Sequence, residues 1–463
     1  MTSLVLHRVE VHGRHCDVLV RDGRVADVGG PFRGTGPSAI DGAGGALVPG
    51  LHDHHLHLLA LAVDLTSVRC GPSDVRGADD LAGALRAAAA TTPPGAWLRG
   101  TGYHERVAGD LDARALDRLL PDRPVRVQHR SGALWMLNSL ALQAVAAVLD
   151  DSPDVERDEH GRPTGRLWRY DARLRPALPP SPPDLIAVGR LLARHGITGV
   201  SDATPDLDEG ALDLLRSARG AGLHQDLCLL GAPLDQVPRP GLPPWKILLR
   251  DHDLPGLEAL TAEIARARAA GRAVAVHCVT RVALLLTLTA LQEVGPLAGD
   301  RIEHGAVVPP EVRDWMRRLG VTVVTQPGFV ATRGDDYLRD TEPDDRDCLY
   351  PYHSLLEAAV PTVASSDAPY GPVDPWAIMR AARDRRTPSG TVLLPGERVT
   401  VATALNGYLA PLLDPAAPPR EIRPGAPADL VLLSGSLQEC LADPDAERVR
   451  LVLKDGMVVH SAS

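Results

Sequence analysis

Apolar and polar positions alternate with a period of two at both ends of this chain. LVLHRVEV, HCDVLVRDGRVADVG and the tract ending ALVPG do so around the turn signals Asp22-Gly23 and Asp41-Gly42. ADLVLLSG and RVRLVLKDGMVVHS repeat the pattern around Asp455-Gly456. Side chains on a strand point to opposite faces in turn, so this period predicts short, half-buried strands. Residues 1–48 and 416–463 are expected to form one small β-sandwich domain built from both termini.

The middle of the chain is patterned differently. Short apolar runs occur in GGALVPGLHDHH, GITGVSDAT, HQDLCLLG, WKILLR, AVAVHCV, RIEHGAV, VTVVTQP and PTVASSDAP. Between several of them lie amphipathic stretches such as LEALTAEIARARAAG and PEVRDWMRRLG, which suit helices. Eight strands with intervening helices predict an α/β fold, a (β/α)8 TIM-like barrel over 49–67 and 185–415. In that architecture chemistry collects at the C-terminal ends of the strands. Residues 68–184 interrupt the alternation. They hold helix-like LAGALRAAAA, strand-like PVRVQHR and the Pro-rich exit RPALPPSPP, and are expected to form an inserted subdomain over the barrel mouth. There is no internal repeat at a solenoid period and no low-complexity tail.

Composition narrows the function. Hydrophobic residues at 44% and charged residues at 23% fit a soluble globular protein. The net charge of −10 disfavours phosphate backbones, so no nucleic-acid partner is expected. No apolar run reaches the length of a membrane span. MTSLVLHRVEVHG lacks a basic segment followed by an apolar one, so no signal peptide is expected. The six cysteines are scattered without a CxxC pair, which suits a reduced, cytoplasmic protein. A small-molecule substrate is the expected partner, and a homo-oligomer is left open.

The chemistry gathers at strand ends. In PGLHDHHLH, Asp53, His55 and His57 share one face of a strand, while His52 and His54 share the other. His55 and His57 can reach a single metal ion, since imidazole is a preferred ligand for zinc and similar ions. The plainer alternative is a polar strand end with solvated histidines. His277 in AVAVHCVTR closes a buried run, where a lone histidine is usually a satisfied core residue. His304 in RIEHGAVV has the same placement, and Glu303 and Arg301 beside it either orient it or form a structural ion pair. Asp367 in PTVASSDAP closes the last run, where a cap or turn is the commoner role. Each of these last three is weak by itself, but a barrel would bring them to one rim.

Lysine usage adds a further pointer. Lys and Arg total 49, yet the only lysines are Lys246 and Lys454. Lys246 lies inside the apolar run of PPWKILLR, where burying an ammonium is costly and the free amine is favoured. A free amine can add carbon dioxide and become a carbamate, an anionic oxygen ligand able to bridge two metals; arginine cannot. Lys454, beside a turn, reads as a chance survivor.

These residues resemble the amidohydrolase superfamily, most closely its family 3 branch, which includes N-acyl-amino-acid deacylases and formamide hydrolases. PGLHDHHLHL is similar to the family's opening motif, and GITGVSDAT, WKILL, VAVHCVTR, RIEHGAVV, VVTQPGF, SSDAPYGPVDPW and IRPGAPADLVLL follow in the family's order. The resemblance implies that His55 and His57 bind one metal with Asp367, that His277 and His304 bind a second, and that carbamylated Lys246 bridges them. It implies a divalent metal, zinc first, with one or two ions per chain, and carbon dioxide carried on Lys246. Asp367 would be the catalytic residue, taking a proton from the attacking hydroxide and passing it to the leaving nitrogen. Asp53 and Glu303 are candidates for orienting the ligands. Tyr103 and His104 in RGTGYHER resemble a substrate-facing segment. Arg333, after the seventh run, is placed to hold a carboxylate bidentately, although surface arginines are common. Trp135 and Tyr337 are expected to pack.

Two departures stand out. In HRSGALWMLNSLAL, Ala133 or Leu134 falls where the family often has a histidine, with His129 just upstream. After Lys246 the family's Asp-Gly pair is replaced by RDHDLP. The implied activity is hydrolysis of a non-peptide C–N bond, such as an N-acyl, N-formyl or carbamoyl amide. A cyclic amide or amidine hydrolase, or a deaminase, is the alternative. A catalytically silent barrel acting as a binding protein is a third reading, and the complete ligand set speaks against it.

Overall fold

The apolar runs of the middle segment become eight short parallel strands: β1 (Leu51–Leu56), β2 (Ile197–Asp202), β3 (Asp226–Leu229), β4 (Trp245–Ile247), β5 (Val274–Cys278), β6 (Arg301–His304), β7 (Thr322–Thr325) and β8 (Thr362–Ala364). The architecture comes from a computed structural model describing residues 3–32, 38–72, 74–179, 183–235 and 242–462. The Pro-rich exit RPALPPSPP lies partly outside these residues. The chain divides into two compact units, one of Met1–Leu58 with Leu185–Ser463 and one of Leu59–Asp184.

In the first unit the parallel strands form two arrays, β3-β2-β1 and β4-β5-β6-β7-β8. No closed sheet forms among the described residues. The arrays are joined at both edges by backbone hydrogen bonds. Lys246 N in β4 donates to Leu230 O just beyond β3 (3.0 Å). At the other edge Asp367 N donates to His55 O (2.8 Å), and His57 N donates to Ala368 O (2.8 Å). Parallel strands covered on both faces need apolar side chains on both. Ile247, Val276, Ile302 and Val323 meet this need, packing with Leu260 and Ile264 of helix Leu257–Ala269 and Leu284 and Leu288 of helix Arg281–Val294. The second helix starts three residues after β5, where the Thr280 side chain accepts from Ala283 N and caps it.

The terminal segments form two four-stranded sheets whose apolar residues, among them Leu6, Val18, Leu430 and Leu453, share one buried cluster. Asp22-Gly23 (φ 50°, 76°) and Asp455-Gly456 (φ 51°, 74°) are consecutive left-handed pairs, as tight hairpin turns require. The third turn signal is displaced by two residues: Ala43 and Gly44, rather than Asp41-Gly42, take the left-handed conformation (φ 52°, 81°).

The second unit is built on a six-stranded sheet ordered Val155–Arg157, Pro163–Trp168, Leu134–Leu137, Val125–His129, Leu98–Tyr103, Val68–Arg69. Helix Ala78–Thr91 packs on it through Leu81 and Leu85. Both correspond to the helix-like and strand-like stretches of the sequence.

Candidate metal centre

The end of β1 places two imidazoles on the side opposite their neighbours. His52 Nδ1 and His54 Nε2 donate to the carbonyls of Ala410 and Gly407, each at 3.1 Å, and so tie β1 to the end of helix Val401–Leu409. His55 and His57 turn the other way, with ring centroids 5.5 Å apart. Asp367, just past β8, meets both: its Oδ1 lies 3.1 Å from His57 Nε2 and 3.6 Å from His55 Nε2. One ligand atom from each of the three lies within 4.8 Å of the others. His304, at the tip of β6, has its ring 4.8 Å from that of His55 and 4.4 Å from that of His277 at the tip of β5. His304 and Asp367 both hold left-handed backbone (φ 70° and 53°), which packing must enforce in residues with a Cβ.

Lys246 in β4 is 3% exposed, and its amine has no hydrogen-bond partner. Burial pulls that amine's pKa down, opposed by the charges of Glu303 and Asp367. The Lys246 charge in turn acts on His55, His277 and His304. Burial holds the His277 imidazole down at about 3 and those of His55 and His304 well below the usual range. Neutral rings keep a lone pair for a cation. Two further buried atoms in the cluster lack hydrogen bonds, His55 Nε2 and Asp367 Oδ1. Buried polar atoms are normally satisfied, so this convergence fits a bound cation.

Each of three histidines has its Nδ1 occupied by a residue from another element. His55 Nδ1 donates to Glu303, whose other oxygen accepts from Arg301 Nε (2.7 Å). His57 Nδ1 meets Thr204 Oγ1 at 3.2 Å, and His304 Nδ1 meets Gln326 Oε1 at 2.7 Å. Such partners fix ring orientation and leave Nε2 for a metal. Asp53 works through the backbone: its Oδ1 accepts from His55 N (3.1 Å) and Ser366 N (3.2 Å). Burial pushes its carboxyl up to about 6.

The profile of a family described as the amidohydrolase family matches residues 38–460. This chain belongs to the amidohydrolase family. As a member it is a hydrolase of C–N bonds other than peptide bonds. It is 27% identical over 470 residues to an N-substituted formamide deformylase of Arthrobacter pascens, covering 84% of each chain. Its fold is similar to that of an uncharacterized metal-dependent hydrolase of Pyrococcus horikoshii OT3 (TM-score 0.74, 20% identity, 99% of this chain and 100% of that one). It is also similar in fold to N-isopropylammelide isopropylaminohydrolase of Burkholderia multivorans (TM-score 0.55, 18% identity, 99% and 98%).

Several residues of this amidohydrolase do other than the sequence suggests. Tyr103 is fully buried in the core of the second unit, and its hydroxyl donates to the Gly109 carbonyl. A phenol so placed packs in that core. His104 caps helix Glu105–Ala108 by accepting from Arg106 N at Nδ1 (3.1 Å). Ser131 N likewise donates to His129 Nδ1 (3.1 Å), so both rings carry their proton on Nε2. Both Nε2 atoms face Glu105 Oε2, at 3.8 and 3.2 Å. This trio has metal-ligand spacing, but its tautomers suit hydrogen bonds to the carboxylate.

Lys454 is no chance survivor. It is 4% exposed, and its amine lies 3.1–3.2 Å from carboxylates of Asp429, Asp226 and Asp455. Trp135 packs as expected, 2% exposed, with Nε1 donating to Asp171 (2.8 Å). Tyr337 packs too, its hydroxyl 3.3 Å from that of Tyr350. Arg333, on helix Gly328–Asp340, lies over the Phe329 ring (4.6 Å) and donates to the Tyr370 carbonyl (2.6 Å). No carboxylate pairs with it among the described residues. Tyr370 itself lies against His57, ring centroids 5.4 Å apart. The six cysteines are all free, and no helix among the described residues is long and apolar enough to cross a membrane.

The sequence reading missed Thr204, Gln326 and Ser366. A weak signal existed for all three: each lies one or two residues beyond the end of a parallel strand, close to where the predicted ligands lie.

Proposed function

We propose that this amidohydrolase cleaves a linear amide of a small molecule, an N-acyl, N-formyl or carbamoyl group, with His55, His57, Lys246, His277, His304 and Asp367 holding one or two divalent ions. The carrying observation is the gathering of three buried polar atoms without hydrogen bonds, His55 Nε2, Asp367 Oδ1 and Lys246 Nζ, with burial keeping the His55, His277 and His304 imidazoles neutral. The joined edges of the two parallel arrays support reading them as one (β/α)8 barrel, and the shared core of the terminal sheets supports a β-sandwich. Zinc suits an imidazole-rich set.

A bound divalent cation supplies Lewis-acid chemistry: it lowers the pKa of a water and polarises an amide carbonyl. The residues do the rest. Asp367 accepts the proton of the attacking water and delivers it to the leaving nitrogen as the C–N bond breaks. Lys246, as a free amine, adds carbon dioxide; an N–C bond forms, one proton is released, and the neutral amine becomes an anionic oxygen donor. Glu303 and Thr204 hold the rings of His55 and His57. Arg333, anchored on Phe329 and the Tyr370 carbonyl close to His57, is the residue to receive a substrate carboxylate.

The test is a product assay. Purified, zinc-loaded protein is incubated with N-formyl, N-acyl and N-carbamoyl amines and amino acids, and with cyclic amides and aminated heterocycles. Release of an amine with a carboxylic or carbamic acid from a linear amide is the expected result. Turnover confined to rings, or release of ammonia from a ring, would replace this reading with the cyclic amidase or deaminase one. Inactive protein without bound metal would favour a silent barrel.

A further inference from the structure

We infer that Gln326 is a positioning residue that fixes the proton of His304 on Nδ1 and thereby keeps His304 Nε2 open for a cation; the inference rests on reading His304 as a metal ligand.

A chain of hydrogen bonds with one consistent direction leads to His304. It begins at the Thr325 carbonyl, which can only accept. Ser365 Oγ donates to it (3.2 Å). Having spent its proton, the hydroxyl accepts from Gln326 Nε2 (3.0 Å). The second amide hydrogen goes to the Val324 carbonyl (3.1 Å). Both amide hydrogens are therefore used, and Oε1 is the end presented to His304 Nδ1, at 2.7 Å. Turning the amide over would set Oε1 against the Val324 carbonyl, two acceptors facing each other. An amide oxygen only accepts, so Nδ1 must carry the hydrogen. Gln326 and Ser365 are fully buried and Thr325 is 1% exposed, so water does not compete for these bonds.

The chain also keeps the proton-transfer group clear. Asp367 Oδ2 lies 4.0 Å from the same Nδ1, the next acceptor within reach. With Gln326 in place the ring has a nearer partner. Without it, Nδ1–H is free to turn to Asp367, which would occupy that carboxylate and swing Nε2 away.

Partners of this kind are typically worth about 10- to 100-fold in metal affinity. The experiment uses the full chain with ¹⁵N-labelled histidine, loaded with zinc, in wild type, Q326M, Q326E and S365A. Zinc release to a chelator is followed, and the His304 tautomer is read from its ¹⁵N shifts, assigned by loss of the signal in H304Q. Wild-type His304 is expected as the Nδ1–H form. Q326M is expected to lose zinc about 10- to 100-fold more readily, whereas Q326E, which keeps an acceptor at Nδ1 but sets its second oxygen against the Val324 carbonyl, is expected to keep the Nδ1–H tautomer whatever zinc it retains. Q326M holding zinc like wild type overturns the inference, as does a Q326E in which His304 carries its hydrogen on Nε2. Should Q326M fail to fold, the wild-type and S365A tautomers decide: a His304 carrying its hydrogen on Nε2 overturns the inference. A wild type that binds no zinc yet shows the Nδ1–H form sinks the metal reading, and with it the role in keeping Nε2 open, while the hydrogen-bond chain itself stands.

Discussion

Glu303 takes the Nδ1 hydrogen of His55 on one carboxylate oxygen and the Arg301 guanidinium on the other, with all three side chains at most 1% exposed. Arg301 also donates to the His54 carbonyl (2.6 Å), so β1 and β6 are cross-tied behind the cluster. Glu303→Gln keeps the shape but weakens the acceptor, and metal retention should fall by about 10- to 100-fold in a chelator competition. Glu303→Ala also leaves Arg301 buried without its carboxylate. Denaturant unfolding should then show a loss of roughly 3–5 kcal/mol. A metal-binding defect without a stability defect in the alanine variant would mean that Arg301 finds another partner.

Asp367 is the proposed proton carrier. Asp367→Asn should lower kcat by about 10²- to 10⁴-fold, the usual worth of a general base, with the fold intact by circular dichroism. Turnover at the wild-type rate would remove Asp367 from proton transfer.

Lys246 is proposed to act as a carbamate. Lys246→Arg should abolish activity and reduce bound metal, because a guanidinium cannot add carbon dioxide. Lys246→Ala should recover partial activity when short carboxylic acids are supplied, since their oxygens can enter the vacated space. Full activity of the arginine variant would exclude the carbamate.

Arg333 should matter only to substrates that bear a carboxylate. In Arg333→Leu, KM for an N-formyl amino acid should rise about tenfold or more, while KM for the matching N-formyl amine stays unchanged. Equal effects on both would indicate a packing role against Phe329.

Acid should unfold the metal-free protein through its buried imidazoles. His54 and His277 are held at about 3, against 6.5 when exposed, so the unfolded chain binds more protons below 6.5. Stability is then lost as pH falls from 6.5 towards 3. Asp53, raised to about 6, works the other way and recovers stability as it protonates. His52, His55 and His304 are lowered as well, so the imidazoles outnumber Asp53 and the net loss exceeds about 1.4 kcal/mol per pH unit between about pH 6 and 4. Urea midpoints across this range measure it; a midpoint that rises on acidification would contradict the balance.

The legible part of this site was the part with chemical character. Period-two alternation separates His55 and His57 from His52 and His54 without any structure, because a strand has only two faces. Lys246 stands out since almost every other basic residue is arginine. Gln326 and Thr204 were hidden because a neutral polar residue just beyond a strand has many uses. Only the neighbouring strand shows what each one meets. Lys454 was misread for a related reason. One of its carboxylates, Asp226, is 228 positions away, beyond the reach of any local pattern. Tyr103 lies in a suggestive segment, yet its burial depends on the whole sheet beneath it, which no local pattern shows.

Both lysines lie inside the protein, at 3% and 4% exposure. The folded surface therefore presents no side-chain amine. Reagents such as N-hydroxysuccinimide esters should leave these side chains unlabelled until the structure opens. Their modification would then serve as a built-in gauge of unfolding, and coupling of the native enzyme through lysine side chains should fail.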